Sequence, residues 1–431
     1  MVVTLGVLAT TCGGSEKRHE EADDNVRASP MNSIAEQYVR LTLAVGQHDP
    51  DYVDAYYGPP EWRPAEDAKV ALGELVSEAT ALARELERLG EPGEELEQLR
   101  HRYLRAQASA MNVRLRMLKG ERLSFDEESQ ALYDATAPVL PEAHFQQVLD
   151  QLEPRFSGTG PLVERYEAWR QAFVIPKERL DGVFRTAIEA CRARTIAHLQ
   201  LPPGESFTVE YVTGKSWSGY NWYQGSYRSL IQVNTDLPIY IDRAVDLACH
   251  EGYPGHHVYN VLLEKNLVRD RGWMEFTVYP LFSSQSLIAE GTANYGIDMA
   301  FPGDARLAFE RDVLFPAAGL DPSRVGEYYE VQGLVEQLAY AGNEAARRYL
   351  NGEIDAAQAA AWLEKYALMP SERSAQRVRF FDQYRAYVIN YNLGKDMVRE
   401  FIEQRAGDDP ARRWEEFGRL LSSPRLPSGL R

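Results

Sequence analysis

Apolar and polar positions along the chain fall into two textures. From Asn32 to His198 apolar residues recur mainly every third or fourth position, the period of an amphipathic helix. Ser33 is placed to cap a first helix carrying Ile34, Tyr38, Leu41 and Leu43, and Gly58-Pro59-Pro60 marks a break. Two long helices rich in Ala, Leu, Glu and Arg are predicted between about Glu66 and Leu118, parted near Gly90–Gly93. Further helices are predicted over 126–155, 161–172 and 177–198.

The texture changes at Leu201-Pro202-Pro203-Gly204. Phe207–Val212 is dense in β-branched and aromatic residues and reads as a strand, as does Ser226–Thr235. Trp217–Gly225 reads as an aromatic connection with glycine hinges, its rings serving either packing or substrate contact. A helix is predicted from Ile241 to His250. Helical periodicity then returns over 257–266, 280–300, 305–314, 325–350, 355–366 and 373–405. The expected fold is mainly α (α+β), a large helical body with a small β-sheet beside the helix that ends at His250. Three regions are expected: an N-terminal signal and tether (1–30), a helical region (31–200), and a region (201–431) holding the sheet and the chemistry.

The 431 residues are 44% hydrophobic and 26% charged, the balance of a soluble globular chain. A formal charge of -17 and a pI of about 5.1 argue against a nucleic-acid partner, which would call for a basic patch. Cys12, Cys191 and Cys249 are too few and too scattered for a disulfide framework or a thiolate metal site. Cys249 is expected to be a small buried hydrophobe. Cys12 ends a short apolar run and precedes Gly13-Gly14-Ser15 and a charged stretch over 16–27. This resembles a bacterial lipoprotein signal with Cys12 as the lipidated residue, although no Lys or Arg precedes the run and threonines stand where Gly, Ala or Ser is usual. It implies an exported protein that meets the membrane only through a lipid anchor in the cell envelope; without a working signal the protein would be cytoplasmic. No later run reaches the ~18 apolar residues of a membrane span.

One stretch carries candidate chemistry: His250-Glu251-Gly252-Tyr253-Pro254-Gly255-His256-His257. A His-Glu pair with a further histidine one turn on is how zinc hydrolases place two imidazole ligands and a water-activating glutamate on one helix. The common spacing puts the second histidine at i+4, which here is Pro254. On an unbroken helix i and i+6 diverge by about 120°, and i and i+7 lie about 10.5 Å apart, so an intact helix argues against a shared metal. Pro254 removes a helical N–H and Gly255 tolerates almost any backbone angle, which together permit a bulge that absorbs two residues. His250 and either His256 or His257 are then the local ligands. A third must come from elsewhere, since Glu264 lies too far along the same helix. Glu290 is the only acid between Glu275 and Asp298, on an apolar helix of small residues, and a buried lone carboxylate is costly unless paired or metal-bound.

The motif resembles the H-E-x-x-P-G-H-H signature of the DUF885 family, a group of zinc metallopeptidases often found as bacterial lipoproteins. Glu290-Gly291-x-Ala293-x-Tyr295 resembles that family's E-G-x-A-x-Y segment. Asn390-Tyr391-Asn392-Leu393-Gly394-Lys395 is similar to its S-Y-x-[IL]-G-K stretch, with Asn390 in place of serine and no P-G-Q before it. The likeness spans roughly residues 30–405. It implies a gluzincin-like helical body, Zn2+ held by His250, His256 and Glu290, and Glu251 as general base.

The expected function is therefore a zinc metallopeptidase acting on a peptide substrate. Tyr391 is expected to stabilise the oxyanion, with Tyr387 and Tyr295 as rivals, and Asn234 and Tyr295 are expected among the substrate contacts. Asp246, at i-4 from His250, either orients that imidazole or is solvated. The alternatives are a zinc hydrolase of another amide or ester, and a non-catalytic envelope lipoprotein that keeps the fold. Gly214-x-Ser216-x-Ser218 lacks the last glycine of a nucleophile elbow, and Gly158-x-Gly160 lacks the third glycine and preceding strand of a dinucleotide site.

Overall fold

The computed structural model describes residues 29–215 and 217–431; Cys12 and the expected signal lie outside them. The described chain is mainly helical, as the periodicity predicts, with the expected small sheet near its middle and a second, two-stranded sheet that the sequence does not announce. The first helix spans Pro30–Gly46, and the long pair before Leu118 is Leu72–Leu89 and Glu95–Leu118. Three expected helices are interrupted. The 126–155 segment ends a helix (Phe125–Tyr133) at Asp134, which is left-handed with φ 56°, and resumes at Glu142–Leu152. The 325–350 segment splits into Val325–Glu336 and Ala341–Leu350. The 373–405 segment splits at Arg385 (φ 51°) into Ser371–Tyr384 and Ile389–Ala406. A last helix, Pro410–Leu421, adds to the expected set; Asp409 caps it by accepting the N–H groups of Ala411 and Arg412.

Five strands are present among the described residues: β1 (Val53–Tyr56), β2 (Ser206–Val212), β3 (Gly219–Gly225), β4 (Arg228–Asn234) and β5 (Val278–Pro280). β1 pairs antiparallel with β5, so the N-terminal helical region supplies one wall of the site. In the second sheet β2 lies parallel to β4, and β3 lies antiparallel to β4 on the other side. The expected aromatic connection is therefore itself a strand. Asn221 and Tyr223 point inward while Trp222 points out, the period-two alternation of a half-buried edge. Ile231 and Val233 of β4 face Leu247 and Ala248 of the His-Glu segment, each burial contributing roughly 1.5–3 kcal/mol.

The helix Ser284–Ala300 crosses Ile389–Ala406 at a pair of glycines. A Cβ on Gly291 would fall 2.5 Å from the carbonyl oxygen of Gly394, so no larger residue fits either backbone there. This close approach sets Glu290 against the helix that carries Tyr391. No described helix is long and apolar enough to cross a membrane.

Candidate metal centre

The helix that delivers the motif does not run through it. Asp242–Leu247 is α-helical, Ala248–Gly252 widen into a π turn, Tyr253 is extended (φ -118°, ψ 117°), and a new helix starts at His256. The break falls where Pro254-Gly255 places it. The Gly255 N–H donates to the Cys249 carbonyl at 2.9 Å and the Tyr253 N–H to that of Ala248 at 3.1 Å, folding the turn back on itself.

His256 consequently returns beneath His250. Their Nε2 atoms are 3.1 Å apart with the rings perpendicular. Glu290 Oε2 lies 3.3 Å from His250 Nε2 and 3.8 Å from His256 Nε2. Tyr387 donates its hydroxyl to Glu290 Oε1 at 2.8 Å, while Oε2 is buried and accepts no hydrogen bond. Donors around a tetrahedral zinc stand roughly 3.3–3.5 Å apart, a separation that the three observed distances bracket. These residues fit a metal ion, because Oε2 is the orphaned buried oxygen that an ion would satisfy. Burial alone would lower the His256 imidazole, but the adjoining Glu290, with Glu251 and Asp54, raises it to about 9. Burial alone would raise the Glu290 carboxyl, but the two imidazoles hold it far below the carboxylate range.

The groups around these three differ from expectation in several places. Asp246 pairs with Arg306 at 2.8 Å and with Arg243 at 3.2 Å, so it does not orient His250. That part belongs to Asn294, whose Oδ1 lies 3.1 Å from His250 Nδ1 and whose Nδ2 donates to the Tyr391 carbonyl at 3.0 Å. Asn294 follows Glu290 by four residues, one turn along the same helix face. His257 is fully buried between Ser229 Oγ (2.9 Å) and Glu205 Oε2 (3.0 Å), tying its helix to the sheet. Glu264 accepts from Tyr223 and pairs with Arg269, pinning the β3–β4 hairpin.

Glu251 is buried, and its carbonyl accepts from Asn221 Nδ2 at 2.7 Å, which sets β3 beside it. Glu251, His250, His256, Glu290 and Tyr391 line one cleft of about 1510 Å³. Burial and the charge of Glu290 push the Tyr391 hydroxyl well above its ordinary value, and that hydroxyl makes no hydrogen bond among the described residues. Tyr295 is not in the cleft. It packs edge-on against Phe417 with ring centres 6.1 Å apart, so it is neither an oxyanion donor nor a substrate contact. Asn234 does line the cleft, but its amide is committed: Nδ2 donates to the carbonyls of Lys215 and Trp217, and Oδ1 accepts from Asp236 N–H. It shapes the loop carrying Trp217 rather than holding a peptide backbone.

Two features have no counterpart in the sequence reading. Asp54 of β1 enters the cleft, hydrogen-bonded by the Tyr220 hydroxyl. Burial, opposed by His256 and assisted by Glu290 and Glu251, raises its carboxyl to about 7. Cys191 and Cys249 form a disulfide with Cα atoms 5.7 Å apart. Cys249 is buried, as expected, but as half of a crosslink that ties the helix Leu180–Ile196 to the residue before His250.

No family model matches the chain, and no curated protein matches it. Among solved structures the chain is similar to a candidate lipoprotein from Colwellia psychrerythraea, at 15% identity and TM-score 0.50, over 86% of this chain and 69% of that one. It is also similar to a candidate lipoprotein of unknown function from Shewanella oneidensis, at 14% identity and TM-score 0.44, over 85% and 74%. The structure named BsuCP shares 11% identity at TM-score 0.43, over 95% and 90%. At such identities the likeness to the Colwellia protein shows a shared fold.

Proposed function

We propose that this chain is a zinc metallopeptidase of the DUF885 type. The observation that carries the proposal is the convergence of His250 Nε2, His256 Nε2 and the orphaned Glu290 Oε2 in a cleft shared with Glu251. Two imidazoles and one carboxylate, with a side left open, are the donor set of a hydrolytic zinc. Bound there, zinc would polarise the scissile carbonyl and acidify a water molecule. Glu251 takes the proton of the attacking water and passes it to the leaving amine. The free hydroxyl of Tyr391 donates to the developing oxyanion. Asn294 and Tyr387 hold His250 and Glu290 in register. β3 is an edge strand that lines the cleft, and such an edge suits an extended peptide over other amides or esters.

An exported, lipid-anchored protein fits the Cys12 segment, the likeness to the Colwellia candidate lipoprotein, and the Cys191–Cys249 disulfide, since structural disulfides persist in oxidising compartments. The purified protein is expected to bind stoichiometric zinc and to hydrolyse peptides until a chelator is added. Glu251→Gln should keep the zinc and lose the hydrolysis. Absence of bound metal, or unchanged turnover in that variant, would overturn the reading.

A further inference from the structure

Two guanidinium groups on one wall of the cleft stand without an acidic partner among the described residues. Arg373 and Arg377 are four residues apart on the helix Ser371–Tyr384, so they share a face, and both line the cleft. Arg377 is framed by rings: its Cζ lies 4.4 Å from the ring centre of Phe380, 5.7 Å from Phe381 and 5.8 Å from Tyr391. Its Nε is buried without a hydrogen-bond partner, and no carboxylate among the described residues pairs with it. Arg373 also forms no ion pair among the described residues. Its cationic neighbours Arg170 and Arg243 are already matched by Glu167 and Asp246. Burial pushes both Arg373 and Arg377 below the usual guanidinium value. In a chain of net charge -17, two uncompensated cations facing one cavity oppose folding unless a ligand answers them.

Their position says which ligand. Arg377 stands beside Tyr391, whose hydroxyl feels the charges of Glu290 and Glu251. The rings of Tyr391 and Tyr387 are 5.8 Å apart, and Tyr387 bonds Glu290 directly. The guanidinium therefore lies one aromatic ring beyond the reacting centre. We propose that Arg377, seconded by Arg373, binds a carboxylate of the substrate, and that this carboxylate is the C-terminus of a peptide trimmed from that end. The inference rests on the peptidase reading above and adds where the substrate is held. A guanidinium fork matches a carboxylate in two parallel hydrogen bonds, and a free C-terminus offers one whatever the sequence. The rings around Arg377 suit an apolar terminal side chain. Hydrolysis breaks the C–N bond before the released piece: the water's hydroxyl goes to the new carboxyl end, and its proton passes by way of Glu251 to the released amine.

The test is binding to the zinc-loaded Glu251→Gln protein by calorimetry. Three N-acetylated tetrapeptides serve: one ending in leucine with a free carboxylate, the same peptide amidated, and an amidated peptide ending in aspartate. The free carboxylate is expected to bind tighter than its amide by on the order of ten- to a hundredfold. Arg377→Ala should abolish that preference, Arg377→Lys should restore part of it, and Arg373→Ala should weaken it. Equal binding of acid and amide, or a preference that survives Arg377→Ala, would overturn the proposal. Tight binding of the amidated aspartyl peptide would also overturn it, by moving the carboxylate to a side chain. Turnover by the unsubstituted enzyme separates the two readings: cleavage as fast for the amide as for the acid overturns this one alone. No cleavage of any peptide, with the binding preference intact, overturns the peptidase reading and the trimming with it, and leaves the carboxylate site standing.

Discussion

Gly255 sits so close to His250 that a Cβ on the glycine would lie 1.9 Å from the His250 carbonyl oxygen. No side chain can occupy that space, and the obstacle is backbone that cannot rotate away. The turn between His250 and His256 is thus possible only with glycine at this position.

Gly255→Ala is accordingly expected to open the turn and separate the two Nε2 atoms that now stand 3.1 Å apart. Zinc affinity should fall by at least about tenfold while the helical signal in circular dichroism stays near that of the parent. Competition with a chromophoric chelator measures it. Unchanged affinity would mean that the turn tolerates a methyl group.

Asn294 holds His250 from behind, and its removal should loosen the ligand without deleting it. For Asn294→Ala the expected loss of metal affinity is roughly 10–100-fold. Asn294→Asp, which keeps an acceptor oxygen at the same place, should recover most of it. Equal affinities in both variants would show that His250 is positioned by its own helix alone.

Tyr391 and Tyr387 separate into two roles by what their hydroxyls touch. Tyr387 is committed to Glu290, whereas Tyr391 is free in the cleft. Tyr391→Phe is therefore expected to lower kcat by about 10²–10³-fold with little change in KM or in bound zinc. Tyr387→Phe should lower zinc affinity instead. Tyr295→Phe, remote from the cleft, should leave both unchanged. A kcat loss confined to Tyr387→Phe would exchange the assignments.

These outcomes mark what a chain can disclose before it folds. Glu251, His250 and His256 were legible because their relation is set within one turn and one proline-glycine break. Glu290 was legible because a lone acid among small apolar residues has to be answered by something. Asn294 and Asp54 were not, because their partners His250 and Tyr220 lie 44 and 166 residues away and only packing joins them. The same holds for Cys191 and Cys249, which look scattered along the chain and meet in space. In the sequence β3 looks like a connection because its glycine ends resemble hinges, while its strand character comes from pairing with β4. The break at Arg385 has no signature, since nothing in an arginine announces a positive φ. Tyr295 ends the Glu290-Gly291 motif and Asn234 ends the second predicted strand, which makes both look like site residues, but Phe417 and the carbonyls of Lys215 and Trp217 claim them.

The disulfide should carry a measurable share of stability. It closes a separation of 58 residues, for which loop-closure entropy in the unfolded chain gives about 4 kcal/mol. Urea unfolding of the Cys191→Ser/Cys249→Ser protein is expected to show a loss of that order with an altered midpoint. Because Cys249 adjoins His250, zinc should also be released earlier in the transition than in the crosslinked protein. Coincident midpoints for the two proteins would mean that the crosslink adds nothing to packing already in place.

Glu310 predicts a pH dependence remote from the metal. It is fully buried, and burial outweighs the opposing charge of Arg306, raising the carboxyl to about 7. Between its ordinary value and about 7 the folded protein therefore holds a proton that the unfolded chain has released. Stability contributed at this site is present in acid and is lost as pH rises through that window. Glu310→Gln removes the titration while Arg306 keeps Asp246 at 2.8 Å. The variant's Tm, taken relative to the parent, should consequently improve from about pH 4 to about pH 8. A difference in Tm that does not vary with pH would show that Glu310 is ionised throughout, with its charge absorbed by Arg306.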